Sequence, residues 1–193
     1  MKPIVHKKYL KLYEETAKNK IADVLFRFPE KEFSLSDLAK EAGVAKANIG
    51  KILIEFQGAG MITIEKLSKI WRIKANRTNW FFIRSKIVYN LNFIYKSGLV
   101  DFLIDYFNNP KSIILFGSFR MGEDESASDI DIAIETDEKK AYNVLGLRDL
   151  SNFEKIIGRK IQLHLFNRED VDLNVFNNIA NGISLWGFLE VKK

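Results

Sequence analysis

Two short apolar runs, joined by a Gly-Ser turn and a pair of aspartates, restrict the fold of this chain more than any other feature. Ile113-Ile114-Leu115-Phe116 has strand length and no polar residue, and Gly117-Ser118 follows at once. After ten further residues Asp129-Ile130-Asp131 opens a second apolar run that ends at Ile134. Strand side chains alternate between faces. Ile130, Ile132 and Ile134 therefore share one face, and Asp129 and Asp131 share the other. Alternate residues on a strand lie about 6–7 Å apart, so both carboxylates can converge on one small hard cation. Mg²⁺ is usually held by one or two carboxylates plus substrate phosphates. The Gly-Ser turn suits the same ligand. Glycine lets a phosphate approach the backbone, and the serine hydroxyl adds a donor. A helix beginning there would offer free N–H groups to an anion. A lone D-x-D is more simply a solvated hairpin edge, but the combination of turn, spacing and second strand predicts a phosphate-and-metal site.

At these residues the chain resembles the minimal nucleotidyltransferases of the DNA polymerase β superfamily, whose pattern is G-S, ten residues, D-x-D. Gly117, Ser118, Asp129 and Asp131 carry it here, and Ser128 completes S-D-x-D. The likeness runs from about Asn109 to Val191, and the run from Asn181 to Gly187 resembles the closing apolar strand of that family. The resemblance implies an NTP, ATP or another, as substrate, with Mg²⁺ (or Mn²⁺) held by Asp129 and Asp131. It implies that Gly117 and Ser118 hold the triphosphate, with Arg120 and Ser128 as further nucleotide-binding candidates. It also implies in-line transfer of a nucleoside monophosphate to a protein or small-molecule hydroxyl. Related small proteins modify a partner toxin with a HEPN-type ribonuclease domain, so such a toxin is one candidate protein acceptor.

The chain departs from the family pattern at two places. The strand expected over Lys160–Phe166 carries Gln162 where the family has a third carboxylate. Gln is neutral and cannot act as a general base. His164 shares its face by alternation and is the candidate catalytic base; the plainer reading is a structural histidine. Met121 stands where many members have an arginine, with Arg120 one position earlier.

The 193 residues allow one large or two small domains. Charge divides them unevenly. Residues 1–78 hold 16 Lys and Arg against 9 Asp and Glu, whereas residues 111–193 hold 11 against 14. A basic first part and an acidic second part predict modules with different partners. The absence of cysteine excludes disulfides and thiolate chemistry, and two histidines argue against a zinc site. No apolar run approaches membrane-spanning length, and the first residues lack an apolar signal core. A cytoplasmic location without a membrane partner is expected.

In the basic part, Tyr9–Phe28 has helical spacing and stops at Pro29. Ser34 is a cap for a short helix, with Asp37 three residues on. A third helix is expected over about Ala45–Gln57, then strands Met61–Glu65 and Ile70–Lys74 around a turn at residues 66–69. Three helices followed by a hairpin resemble a winged helix-turn-helix, which implies a third helix in the DNA major groove. Its outward residues would be Lys46, Ala47, Asn48 and Lys51, and the hairpin would present Lys66, Lys69, Arg72 and Lys74 to phosphates. Double-stranded DNA is thus an expected partner, and the alternative is a docking module with a solvated basic face.

Asn79–Tyr95 reads as a helix rich in aromatic residues, and Leu99–Phe107 as a second. The aromatic helix is expected to serve as core or as an interface, including one between two copies of the chain. Glu138–Ile157 has helical character with a break near Gly146. Asp170–Ala180 is expected as a last helix and Ile183–Trp186 as a last strand. The expected fold is α+β: a winged helix-turn-helix at 1–78, a helical linker at 79–108, and a nucleotidyltransferase-like domain at 109–193 with a small mixed sheet flanked by helices. Three functions compete. One is nucleotidyl transfer coupled to DNA binding. Another is a DNA-binding regulator whose transferase domain only senses nucleotide, and the third is a scaffold in which both domains only assemble.

Overall fold

The computed structural model describes residues 16–67, 70–136 and 142–191. It is an α+β protein whose described residues fall into two compact units, 16–89 and 90–191. The division lies inside a single helix, so the expected helical linker is shared between them. No helix among the described residues is long and apolar enough to cross a membrane.

The first unit begins with α1, Ala17–Arg27, capped by the Thr16 hydroxyl, which accepts from Asn19 N. Residues 9–15 of the helix expected here lie outside the described residues. Ser34 caps α2, Leu35–Glu41: its Oγ accepts from Asp37 N and donates to the Asp37 carboxylate. Helix α3 spans Lys46–Gly58. Strands β2, Ile62–Leu67, and β3, Ile70–Ala75, pair antiparallel. A two-residue strand that periodicity did not reveal, β1 (Glu32–Phe33), joins the far edge of β3. Ile21, Leu25, Leu38, Ile49, Leu53 and Ile73 form the centre of this core. The buried positions of α3, Ile49, Leu53 and Phe56, recur at helical spacing. The same spacing leaves Lys46, Asn48 and Lys51 exposed.

Helix α4, Trp80–Lys96, supplies Phe82 to the core of the first unit and Ile94 to that of the second. After α5, Leu99–Tyr106, the second unit is built on a five-stranded sheet. Its strands are β4 (Ser112–Phe116), β5 (Ile130–Glu135), β6 (Asn143–Leu145), β7 (Ile161–Phe166) and β8 (Ile183–Gly187). Their spatial order is β6-β7-β5-β4-β8. Only β5 and β7 run parallel. Such a pair needs a crossover, which carries α7, Ser151–Ile157.

Alternation gives the sheet two different faces. Ile113, Leu115, Ile130, Ile132, Ile134, Ile161 and Leu163 point to the main core, covered by α5 and α7. On the other face Ile114, Ala133 and Phe166 pack under Ile179 of α8, Leu173–Ala180. That helix covers one end of the face and leaves the end with Asp129 and Asp131 to the loops.

One expectation fails. Residues 143–145 do not belong to a helix, because Asn143, Val144 and Leu145 pair with Leu165, His164 and Leu163 as an edge strand. The rest of the helix expected there shrinks to a 3₁₀ turn, Arg148–Leu150, and α7; residues 137–141 lie outside the described residues.

The ten-residue loop between the Gly-Ser turn and Asp129 is anchored by Asp124. Its carboxylate is fully buried and accepts from Asn90 Nδ2 at 2.9 Å and from Arg159 Nη2 at 3.0 Å. Asn90 Nδ2 also donates to Phe119 O. One node thus ties the loop to α4, to the helical turn after β4, and to the segment entering β7. Removing one member of a buried ion pair leaves its partner charged and dry. Asp124→Ala should therefore lower unfolding free energy by about 3–5 kcal/mol in a denaturant titration. A change within experimental error would show that the node carries no such burden.

Candidate functional site

The site is assembled by strand register. In the β4–β5 pair Phe116 lies opposite Asp131. The next residue, Gly117, therefore leaves the strand alongside that carboxylate. Gly117 has φ +71°, and a Cβ there would collide with Asp131 Oδ2 and lie 3.1 Å from its Cγ. Two constraints select glycine at once: the left-handed backbone and the close approach. A five-residue helix, α6 (Gly117–Met121), starts at this point and ends at Gly122.

The parallel register completes the face. Asp131 lies opposite Gln162, and Ala133 opposite His164. Gln162 Nε2 donates to Asp129 Oδ2. His164 is bonded at both ring nitrogens: Nε2 to Asp131 Oδ1 at 3.1 Å, and Nδ1 to the Tyr142 hydroxyl. A carboxylate only accepts, so Nε2 carries the proton in the neutral ring and the bare Nδ1 accepts from Tyr142 O–H. Phe116 packs edge-on against the imidazole with centroids 4.8 Å apart, and Tyr142 lies tilted against it at 5.8 Å. Burial, and secondarily the charge of Asp131, raise the Tyr142 pKa above the ordinary 10.0. The phenol is protonated at neutral pH.

Gly117, Asp129, Asp131, Gln162 and His164, expected together from the sequence, lie on one face. Ser118 follows Gly117 on α6. Ser128 has another engagement: its Oγ accepts from Glu125 N and its own N–H donates to Glu125 O, closing a turn. Arg120 has a buried Nε without a hydrogen-bond partner among the described residues. Tyr142 was missed, since it precedes a strand that the sequence does not announce. Among the described residues, Asp129 and Asp131 are the carboxylates at this end of the face; Glu135, further along β5, is buried and accepts from Ser112 Oγ. Among the described residues no group of three or more His, Asp or Glu side chains forms a metal-holding cluster. Two carboxylates still meet the minimal Mg²⁺ requirement when substrate phosphates complete the shell.

Residues 99–187 match the family model described as Polymerase beta, Nucleotidyltransferase. The second unit is nucleotidyltransferase-like. A search of curated proteins found no match. The matched span begins at α5 and ends at β8, so it takes in every residue of the site, Tyr142 included. An open groove of about 680 Å³ adjoins this face, lined by Asp129 and Gln162 and, among others, by Arg148 and Lys160.

The first unit holds the other candidates separately. Lys46, Asn48 and Lys51 lie exposed on α3, and Lys66 sits 4.5 Å over the Trp71 ring. Arg72 is committed elsewhere, with Nε 2.6 Å from Glu32 and Nη1 3.7 Å from Glu65. Lys69 lies outside the described residues.

Gly117→Ala tests the close approach. The forced left-handed backbone should cost about 1–3 kcal/mol of stability, read by thermal or denaturant unfolding. Full retention of stability would mean that the turn relaxes away from Asp131.

Proposed function

We propose that the protein binds an NTP with Mg²⁺ in its nucleotidyltransferase-like domain and transfers a nucleoside monophosphate to a hydroxyl. The observation that carries this reading is the packing of Gly117 against Asp131, with Asp129 on the same strand face. The Gly117 backbone and the Ser118 hydroxyl hold the triphosphate, and Arg120 adds a cation to it. Asp129 and Asp131 hold the ion. The chemistry such an ion supplies is stabilisation of charge on the attacking and leaving oxygens of an in-line displacement. Gln162 orients Asp129 through its amide and takes no proton. The base on this face is His164, which Asp131 orients. The acceptor oxygen forms its bond to the α-phosphorus as pyrophosphate leaves.

The same reading makes the first unit a winged helix-turn-helix that binds double-stranded DNA, in a cytoplasmic protein. What supports it is the order of three helices and a hairpin, with β1 closing on β3, and the exposed Lys46, Asn48 and Lys51 on α3. Among the described residues, Lys66 is the hairpin cation left for phosphate once Arg72 and Lys74 are engaged by glutamates. A second reading has its own observation. The Gln162 amide bonded to Asp129 favours a domain that senses nucleotide for a DNA-binding regulator and turns it over slowly or not at all.

Isothermal titration of ATP and the other NTPs should show Mg²⁺-dependent binding that Asp131→Ala abolishes; undiminished affinity in that variant would overturn the site. Transfer of label from α-phosphate-labelled NTP separates the two readings, since the sensor binds and transfers none.

Affinity for duplex DNA should fall steeply with added salt, because counterions are released on binding. Lys46→Ala combined with Lys51→Ala should cost about 1–3 kcal/mol for each base-reading side chain removed. Equal affinity in the double variant, measured by fluorescence anisotropy, would rule out α3 as the reading element.

A further inference from the structure

The sheet face that carries both aspartates also carries a hydroxyl outside the sequence motif. Tyr142 precedes β6, two residues from Val144, which lies opposite His164. Its phenol reaches the imidazole of His164, and the opposite nitrogen of that ring is bonded to Asp131. A hydroxyl on a bare ring nitrogen, with the ring oriented by a carboxylate, is the arrangement that activates nucleophiles in covalent catalysis.

We propose that Tyr142 is a self-modification site: its hydroxyl accepts the nucleoside monophosphate from the NTP bound in the same domain. The proposal rests on the nucleotide-binding reading above and names the acceptor for it. Three observations lead to the tyrosine rather than an outside hydroxyl. First, Gln162 has no proton-accepting capacity, so at its position a hydroxyl that arrives alone finds no carboxylate base. Second, the lone pair of His164 is already directed at Tyr142 Oη. Third, the imidazole is fixed in that direction by Phe116 on one ring edge and by Asp131 at Nε2. The phenol is a protonated donor at neutral pH, so it needs the base it touches.

The step balances without any further reactant. Tyr142 Oη forms a bond to the α-phosphorus. The bond from that phosphorus to the bridging oxygen breaks, and pyrophosphate leaves with the electron pair. The phenolic proton passes to His164 Nδ1 and then to solvent. The product is a phosphodiester between tyrosine and the nucleoside. It removes the hydroxyl from His164 and fills the face, so each chain reacts once.

The test uses the full chain. Its intact mass is recorded as isolated and after incubation with each NTP and Mg²⁺ or Mn²⁺. The expected result is a gain of one nucleoside monophosphate per chain, mapped by peptide mass spectrometry to Tyr142, with pyrophosphate released in equal amount. An adduct already at Tyr142 in the isolated protein counts the same way. Tyr142→Phe should bind NTP by calorimetry and gain no mass. His164→Gln should slow the gain on the order of 100-fold, the lower end for loss of a general base, with nucleotide affinity retained. A parallel fall in affinity would mark His164 as a holder of Asp131 and overturn its role as base. Bound nucleotide without an adduct, or an adduct mapped elsewhere, overturns the Tyr142 proposal and leaves the nucleotide site intact. Absence of Mg²⁺-dependent binding in the unsubstituted chain overturns the functional reading itself. If Tyr142→Phe does not fold by circular dichroism, the peptide map of the unsubstituted chain decides alone.

Discussion

The antiparallel pairing of Phe116 with Asp131 is the constraint on which the second unit's site depends. It brings the exit of one strand level with a carboxylate on its neighbour, so the turn that follows is pressed against an acid group. A side chain there would collide with Asp131, and the backbone takes a left-handed φ of +71° that favours glycine. The remaining members of the site follow from two more registers. The parallel pairing of β5 with β7 delivers Gln162 and His164, and the antiparallel pairing of β6 with β7 delivers Tyr142.

Those registers are held by the apolar face, not by the site. A one-residue slip of β5 would turn Ile130, Ile132 and Ile134 outward and drive Asp129 and Asp131 into the core. Burying an unpaired carboxylate is costly enough to forbid this. The isoleucine row of β5 thus fixes the carboxylates by exclusion. The buried Asp124 node does the same for the loop, which carries no apolar row of its own. Side chains far from the reacting atoms set the geometry there.

Much of this was legible in the sequence, for a physical reason: strand alternation and helical spacing are local. They located α2, α3, β4, β5, β7 and the face shared by Asp129, Asp131, Gln162 and His164. What was not legible is what only neighbours decide. Strands β1 and β6 have two and three residues, too few for a period, and exist because β3 and β7 offer an edge. Tyr142 enters the site through one of those edges. Asp124 reads as one of several loop acids, and its burial appears only when Asn90 and Arg159 arrive from distant segments. Arg72 reads as a free cation, yet Glu32 reaches it through the unannounced β1. Ser128 sits in the motif by spacing, while its hydroxyl closes a turn.

Gln162, standing where the resemblance implies a carboxylate, has consequences beyond one missing charge. Two carboxylates balance one divalent cation, and phosphate oxygens complete its shell. A second ion beside Asp129 would meet an amide where an anion is needed, so activation of a hydroxyl by metal is disfavoured on that side. Gln162 nevertheless donates to Asp129, which keeps that carboxylate aimed across the face. The face keeps two carboxylates beside an amide, Gln162, that takes no proton. On the proposed reading, proton acceptance falls to His164, which is bonded to Asp131. Its reach is fixed by the ring plane: one nitrogen belongs to Asp131, the other to Tyr142. On that reading, any hydroxyl that competes for His164 must first displace the tyrosine.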